Sequence, residues 1–191
     1  MVSLLDTEVA DGTCEFCRQP DEECECELNL SPQQQQFFWD DRRWLVYIGG
    51  RNGGKTTAAT ARLIGMIERG EVRQGARIVV FGPTYPQMKK GTIKTFDKWF
   101  QKAGLIVKKI DGNEPERQLV NDITVYFRNA SNPDQTRGHE VQIVWLDEAA
   151  QMDEEVLTLT NMACRQFGNH ALYQTFITST PRGRNWLYRW F

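Results

Sequence analysis

The chain has 191 residues, 40% of them hydrophobic and 25% charged, with six tryptophans and a formal net charge of −2. Such a composition excludes a disordered, collagen-like or fibrous chain and fits one globular domain with an appendage, enough to bury about 70% of its unfolded surface. No apolar run approaches the roughly 20 residues that cross a bilayer, and residues 1–10 lack a basic stretch followed by an apolar core, so a cytoplasmic protein without membrane contact is expected.

Residues 1–30 form an acidic extension, with nine carboxylates (Asp6, Glu8, Asp11, Glu15, Asp21, Glu22, Glu23, Glu25, Glu27) against the single base Arg18. The remaining 161 residues therefore hold 22 bases and 16 acids, a mildly basic body that suits a polyanion such as nucleic acid. The acidic arm is either a solvated charge run or a segment that shields that surface. It also holds Cys14, Cys17, Cys24 and Cys26 within thirteen residues. Four thiolates at this spacing can enclose a structural Zn²⁺ tetrahedrally; free or oxidised thiols in a tail are the alternative. Phe16 and Leu28 are almost the only core material nearby, so a metal would be the segment's main source of order.

From residue 31 onward strand-like and helix-like segments alternate. Residues 44–48 are an apolar strand, 55–69 a helix closed by Gly70, and 77–81 a second strand ending at Gly82-Pro83. Residues 86–103 have Met88, Ile93, Phe96 and Phe100 at helical spacing and predict one long amphipathic helix. Residues 105–110, 117–121 and 123–128 are runs of β-formers parted by Asp-Gly and Asn-Asp, which predicts an antiparallel hairpin unit. After a polar loop at 129–140, residues 141–146 are a core strand, 154–167 a helix, 173–178 another strand, and a helix starts at Asn185. This order predicts an α/β fold: a mainly parallel central sheet with helices on both faces and ligands at the carboxyl ends of the strands.

The chemistry collects at those ends. Gly49-Gly50-Arg51-Asn52-Gly53-Gly54-Lys55-Thr56 follows the first strand and fits G-x-x-x-x-G-K-[ST]. Glycines let backbone N–H groups face the phosphates of ATP, and the following helix adds its positive dipole end. Lys55 would reach the β- and γ-phosphates and the Thr56 hydroxyl would bind Mg²⁺; Thr57 completes this nucleotide-facing stretch. Val141 to Leu146 leads into Asp147-Glu148, an adjacent acid pair in which Asp147 would hold the metal's water shell and Glu148 act as general base. Arg51 either stabilises transferring phosphoryl charge in cis or braces the loop by a salt bridge. Tyr85, Lys89 and Lys90 follow the second strand as a possible phosphate-touching cluster or as a solvated helix face.

Taken with Gly82-Pro83-Thr84-Tyr85, Trp145-Leu146-Asp147-Glu148-Ala149-Ala150 and Thr178-Ser179-Thr180-Pro181-Arg182-Gly183, residues 30–191 resemble the ATPase motor of a tailed-bacteriophage terminase large subunit. The resemblance implies a three-layer P-loop NTPase of the ASCE, RecA-like type over 31–191, and a motor that spends MgATP to move double-stranded DNA into a procapsid. It further implies Thr178-Ser179-Thr180 as a segment that senses the γ-phosphate, where the residues alone also allow a cap for the helix near Asn185. Gln34 matches an adenine-reading glutamine or is a plain helix-start residue, and Arg137 matches a finger reaching the neighbouring subunit's ATP or is a solvated loop arginine. Implied partners are double-stranded DNA, a portal, a small terminase subunit and further copies in a ring, in the cytoplasm of an infected bacterium. The family's lid and nuclease have no counterpart in these residues. Other classes consistent with the residues are a helicase-like, nucleic-acid-stimulated ATPase and a nucleotide-binding interaction module without hydrolysis.

Overall fold

Ser31 starts the first helix, α1 (Pro32–Trp39). Its hydroxyl accepts from the Gln34 backbone N–H, while Gln34 Oε1 accepts from the Ser31 N–H at 2.8 Å, a reciprocal capping box with Pro32 in the first turn. The structure, a computed structural model, describes residues 30–131, 140–163 and 173–190. After α1 come β1 (Trp44–Ile48), α2 (Lys55–Glu68), β2 (Arg77–Gly82), α3 (Tyr85–Lys90), α4 (Thr92–Lys102), β3 (Ile106–Ile110), β4 (Glu116–Leu119), β5 (Thr124–Asn129), β6 (Ile143–Asp147), α5 (Glu154–Ala163), β7 (Gln174–Ser179) and α6 (Trp186–Trp190). No helix among the described residues is long and apolar enough to cross a membrane.

The strands form one sheet in the order β1-β7-β6-β2-β5-β4-β3. The first five are mutually parallel, and β4 and β3 add antiparallel at the edge. The expected hairpin unit is thus present, but β5 also pairs in parallel with β2 and so carries the main sheet onward. The last strand in sequence, β7, inserts between β1 and β6, which places the loop after β1 beside the acids after β6.

Alternation along the strands assigns residues to two cores. Ile78, Val80, Ile143, Trp145 and Phe176 face α2 and α4; Val79, Phe81, Val144, Leu146 and Ile177 face α5 and α6. By the same period of two, Asp147 follows Trp145 onto the α2–α4 side. The expected long helix at 86–103 is two helices. Gly91, at φ −117° and ψ −83°, ends α3 by donating its N–H to Gln87 O (3.0 Å), and its own carbonyl accepts from Thr95 N–H (2.9 Å) to start α4. This break redirects α4, and Thr92 becomes its first residue, pressed against the end of β6.

A buried arginine fastens α1 to this body. Arg62 of α2 donates to the carbonyls of Phe37, Phe38 and Asp40 at the end of α1 and to Gln174 Oε1 at 2.7 Å, and it lies over the Phe176 ring at 5.2 Å. Helix carbonyls left over at a C-terminus are thereby satisfied in the interior. Burial lowers the Arg62 pKa to about 10, so the guanidinium remains charged at neutral pH.

Candidate active site

β1, β7 and β6 stop level with one another, with Ile48 opposite Ser179 and Asp147 opposite Thr178. A cleft of about 690 Å³ opens above them, lined by residues 51–57 of the glycine-rich loop, by Thr92, Asp147, Glu148 and Thr180, and by Arg182. The loop is anchored where Gly49 N–H donates to Ser179 O (3.1 Å) and tightened where Gly53 N–H donates to Gly50 O (3.1 Å). Gly54 sits at φ +68°, a conformation that costs glycine nothing, and starts α2 with its N-terminus toward the cleft. Lys55 is 6% exposed and donates from Nζ to Gly50 O at 2.9 Å, so the ammonium lies folded over its own loop. Arg51 is exposed on the lip of the cleft and forms no ion pair among the described residues, which leaves the bracing alternative without a partner there.

Asp147 is 2% exposed, with hydroxyls around both oxygens. Thr178 Oγ1 donates to Oδ1 at 2.7 Å, Thr92 Oγ1 to Oδ2 at 2.6 Å, and Thr56 Oγ1 lies 3.3–3.5 Å from the pair. Burial pushes the Asp147 carboxyl above the usual carboxylate range; the hydrogen bonds from Thr92, Thr178 and Thr56 pull it down, while the Glu148 charge pushes it further up. Hard oxygen donors on Thr56 and Asp147, this close at the foot of a phosphate-binding loop, fit Mg²⁺, which takes one or two protein oxygens and completes its shell with phosphate and water. Glu148 adopts φ +57° and ψ +41°, and its carboxylate accepts from Thr180 Oγ1 (3.2 Å) and Thr180 N–H (3.4 Å). A left-handed glutamate is uncommon, and here it turns the second acid away from the first.

Each hydroxyl of Thr178-Ser179-Thr180 therefore meets the acidic segment. Thr178 holds Asp147, Ser179 Oγ accepts from Ala150 N–H at 2.9 Å, and Thr180 holds Glu148. Thr178 and Ser179 are fully buried, and only Thr180 lines the cleft. None of them caps α6: Asn185 does so, its Oδ1 accepting from Tyr188 N–H at 3.3 Å. Gln34 combines two placements, its Oε1 in the capping box and its Nε2 donating to Gly54 O at 3.2 Å. Tyr85 is half-buried against the core, Lys89 and Lys90 are exposed on α3, and these three form no cluster facing the cleft. Arg137 and Cys14, Cys17, Cys24 and Cys26 lie outside the described residues.

Sequence reasoning passed over Thr92, Trp145 and Arg182. Trp145 Nε1 donates to Thr178 Oγ1 at 2.8 Å and so directs that hydroxyl's proton to Asp147. A tryptophan two residues before a strand-end acid signals a side chain on the same face, but its acceptor comes from a strand 33 residues away. Arg182, exposed at the cleft, was legible only as part of Thr-Pro-Arg-Gly.

No curated protein matches the chain. Among solved structures it is similar to the large terminase of the thermophilic bacteriophage D6E (15% identity, 86% of this chain and 42% of that one, TM-score 0.67). It is likewise similar to the Thermus phage P74-26 large terminase ATPase domain (19%, 85% and 69%, 0.59) and to the D6E large terminase in complex with ATP-gamma-S (15%, 82% and 39%, 0.62). At such identities the likeness establishes the P-loop, RecA-like fold, and the chain spans under half the length of the D6E protein. The family profile described as "Terminase large subunit, T4likevirus-type, N-terminal" matches residues 46–191, and the chain belongs to that family.

Proposed function

We propose that the chain binds MgATP in the cleft above β1, β7 and β6 and hydrolyses it as the engine of a viral DNA-packaging motor. The observation that carries this reading is the meeting of Thr56, on the phosphate-binding loop, with Asp147, while Glu148 beside it is held by Thr180. The loop amides of Arg51, Asn52, Gly54 and Lys55 take the phosphates, and Lys55 exchanges the Gly50 carbonyl for phosphate oxygens. Thr56 and Asp147 would hold Mg²⁺, which would supply neutralisation of phosphate charge. Glu148 orients the attacking water and takes its proton on the carboxylate, in a position set by its left-handed backbone and Thr180. Because Thr178 touches Asp147 and Thr180 touches Glu148, a change at the γ-phosphate reaches β7 through these two bonds.

Arg137 serves as a finger in the neighbouring subunit's site, so that complete sites form only between copies, and Gln34 reads the adenine. Double-stranded DNA is the translocated substrate. An open groove of about 720 Å³ beside α4 supports a polyanion: Lys89, Lys94 and Lys98 line it, and the two carboxylates that share it, Asp97 and Asp111, are paired with Arg117. Membership of the terminase family supports a portal and a small terminase subunit as partners and the host cytoplasm as the location, and Cys14, Cys17, Cys24 and Cys26 hold one Zn²⁺.

Turnover of MgATP measured against protein concentration tests the reading, with Lys55→Ala as the blank. Turnover per chain should rise with concentration, and Arg137→Ala should abolish hydrolysis while sparing nucleotide affinity. No nucleotide binding above the Lys55→Ala blank would refute the assignment. Native mass spectrometry should find one zinc lost on Cys14→Ser, and a metal-free native mass would refute that part.

A further inference from the structure

Among the described residues Asp147 has three hydroxyl neighbours, and two belong to segments whose part in nucleotide chemistry is already argued: Thr56 to the phosphate-binding loop and Thr178 to β7. The third, Thr92, belongs to neither, yet makes the shortest bond of the three, 2.6 Å to Oδ2. It is 6% exposed and stands as the first residue of α4, directly after the break at Gly91. Gly91 holds the capping position of α4 and brings no side chain, so the Thr92 hydroxyl, one residue further on, is not spent on the helix's own free N–H groups. Here it is directed across to the end of β6, 55 residues away in sequence.

We propose that Thr92 is a positioning residue for Mg²⁺, a claim that rests on the MgATP reading above. The terminal torsion of an aspartate is broad and two-fold, so one hydrogen bond does not fix the plane of the carboxylate. Thr178 holds Oδ1 from β7 and Thr92 holds Oδ2 from α4, two short bonds from opposite sides. Together they set the plane and leave the carboxylate facing Thr56, whose own contact is longer, at 3.3–3.5 Å, and free to readjust when a cation arrives. Thr92 itself does not ligate the ion. It acts as outer-shell partners of metal-bound groups do, and loss of such a partner commonly weakens metal affinity about 10- to 100-fold.

The alternative is that Thr92 only satisfies a buried carboxylate, which would make it a matter of folding. Affinity for a fluorescent N-methylanthraniloyl-ATP, titrated with Mg²⁺ and separately in EDTA, distinguishes the two. Thr92→Val keeps the shape and removes the donor; Thr92→Ser keeps the donor. Thr92→Val should raise the Mg²⁺ concentration for half-maximal tightening of binding about tenfold and leave the EDTA affinity within about twofold, with Thr92→Ser close to wild type. Equal weakening with and without Mg²⁺, no change in either, tighter Mg²⁺ binding, or Thr92→Ser behaving as Thr92→Val would each overturn the proposal. If Thr92→Val fails to fold, Thr92→Ala, which adds no bulk, is judged by the same criteria. Wild type that binds no nucleotide above the Lys55→Ala blank would remove the underlying reading as well; wild type that binds with Thr92→Val unaltered removes this inference alone.

Discussion

Gly65→Ala is a substitution that helix propensity and tertiary packing judge oppositely. In the middle of α2, alanine is favoured over glycine by about 1 kcal/mol. A Cβ at position 65 would, however, stand 2.8 Å from Phe38 Cε2, closer still to Phe38 Cζ, and 2.8 Å from Arg69 Nη1. Neither neighbour gives way easily. Phe38 is buried under α1 with its ring edge-on to Trp39 at 4.8 Å, the Arg69 guanidinium lies 5.2 Å above it, and Arg69 is tied to Glu71 at 2.6 Å. Overpacking costs about 1–3 kcal/mol, and loosening the cation–π contact adds about 0.5–1 kcal/mol. Against the propensity gain of about 1 kcal/mol this leaves a loss of about 0.5–3 kcal/mol, or roughly 1–12 °C in the thermal midpoint for a chain of this length. Pushing α1 outward also draws Gln34 from Gly54 O, so nucleotide binding should weaken together with stability. Circular dichroism melting and a nucleotide titration on the same sample measure both. A variant as stable as wild type, or more so, would refute the close approach of α1 to α2.

Asp147→Asn should stabilise the metal-free protein while abolishing Mg²⁺-dependent nucleotide binding. Because the folded carboxyl titrates above its unfolded value near 3.8, the native state holds the proton more tightly, and this group's contribution to stability is full below that value and lost as pH rises through the folded pKa. The stability advantage of Asn over Asp, measured in EDTA, should therefore grow from about pH 4 toward 7; an advantage independent of pH would contradict the sign. Arg62→Met leaves the Phe37 and Phe38 carbonyls and the Gln174 amide oxygen without this donor, and Asp40 O with only its 3.4 Å bond from Gln174 Nε2; it should cost about 3 kcal/mol in urea unfolding, a loss under 1 kcal/mol being contrary to the network. Trp145→Phe removes the donor that directs Thr178 and should slow turnover more than it weakens nucleotide affinity; unchanged turnover in a folded variant would show that Thr178 needs no such direction.

The amino-acid sequence by itself determined the parts whose physics is local. Gly49 to Thr56 must turn tightly and start a helix because of glycines and spacing, and the apolar run ending in Asp147-Glu148 places two acids at a strand's end whatever surrounds it. The capping box of Ser31 and Gln34 is local in the same way. What depends on pairing between distant segments was decided only by the tertiary structure. Insertion of β7 between β1 and β6 brings Thr178 and Thr180 to the acids, and a sheet order of this kind leaves no mark on any one strand. The break at Gly91 was hidden because Met88, Ile93, Phe96 and Phe100 keep one apolar face through it, so periodicity continues where the backbone does not. Thr92 and Arg62 are the consequence. A threonine at a helix start and an arginine inside a helix are ordinary in sequence, and their roles arise because folding buries them against a carboxylate 55 residues away and carbonyls 22 to 25 residues away.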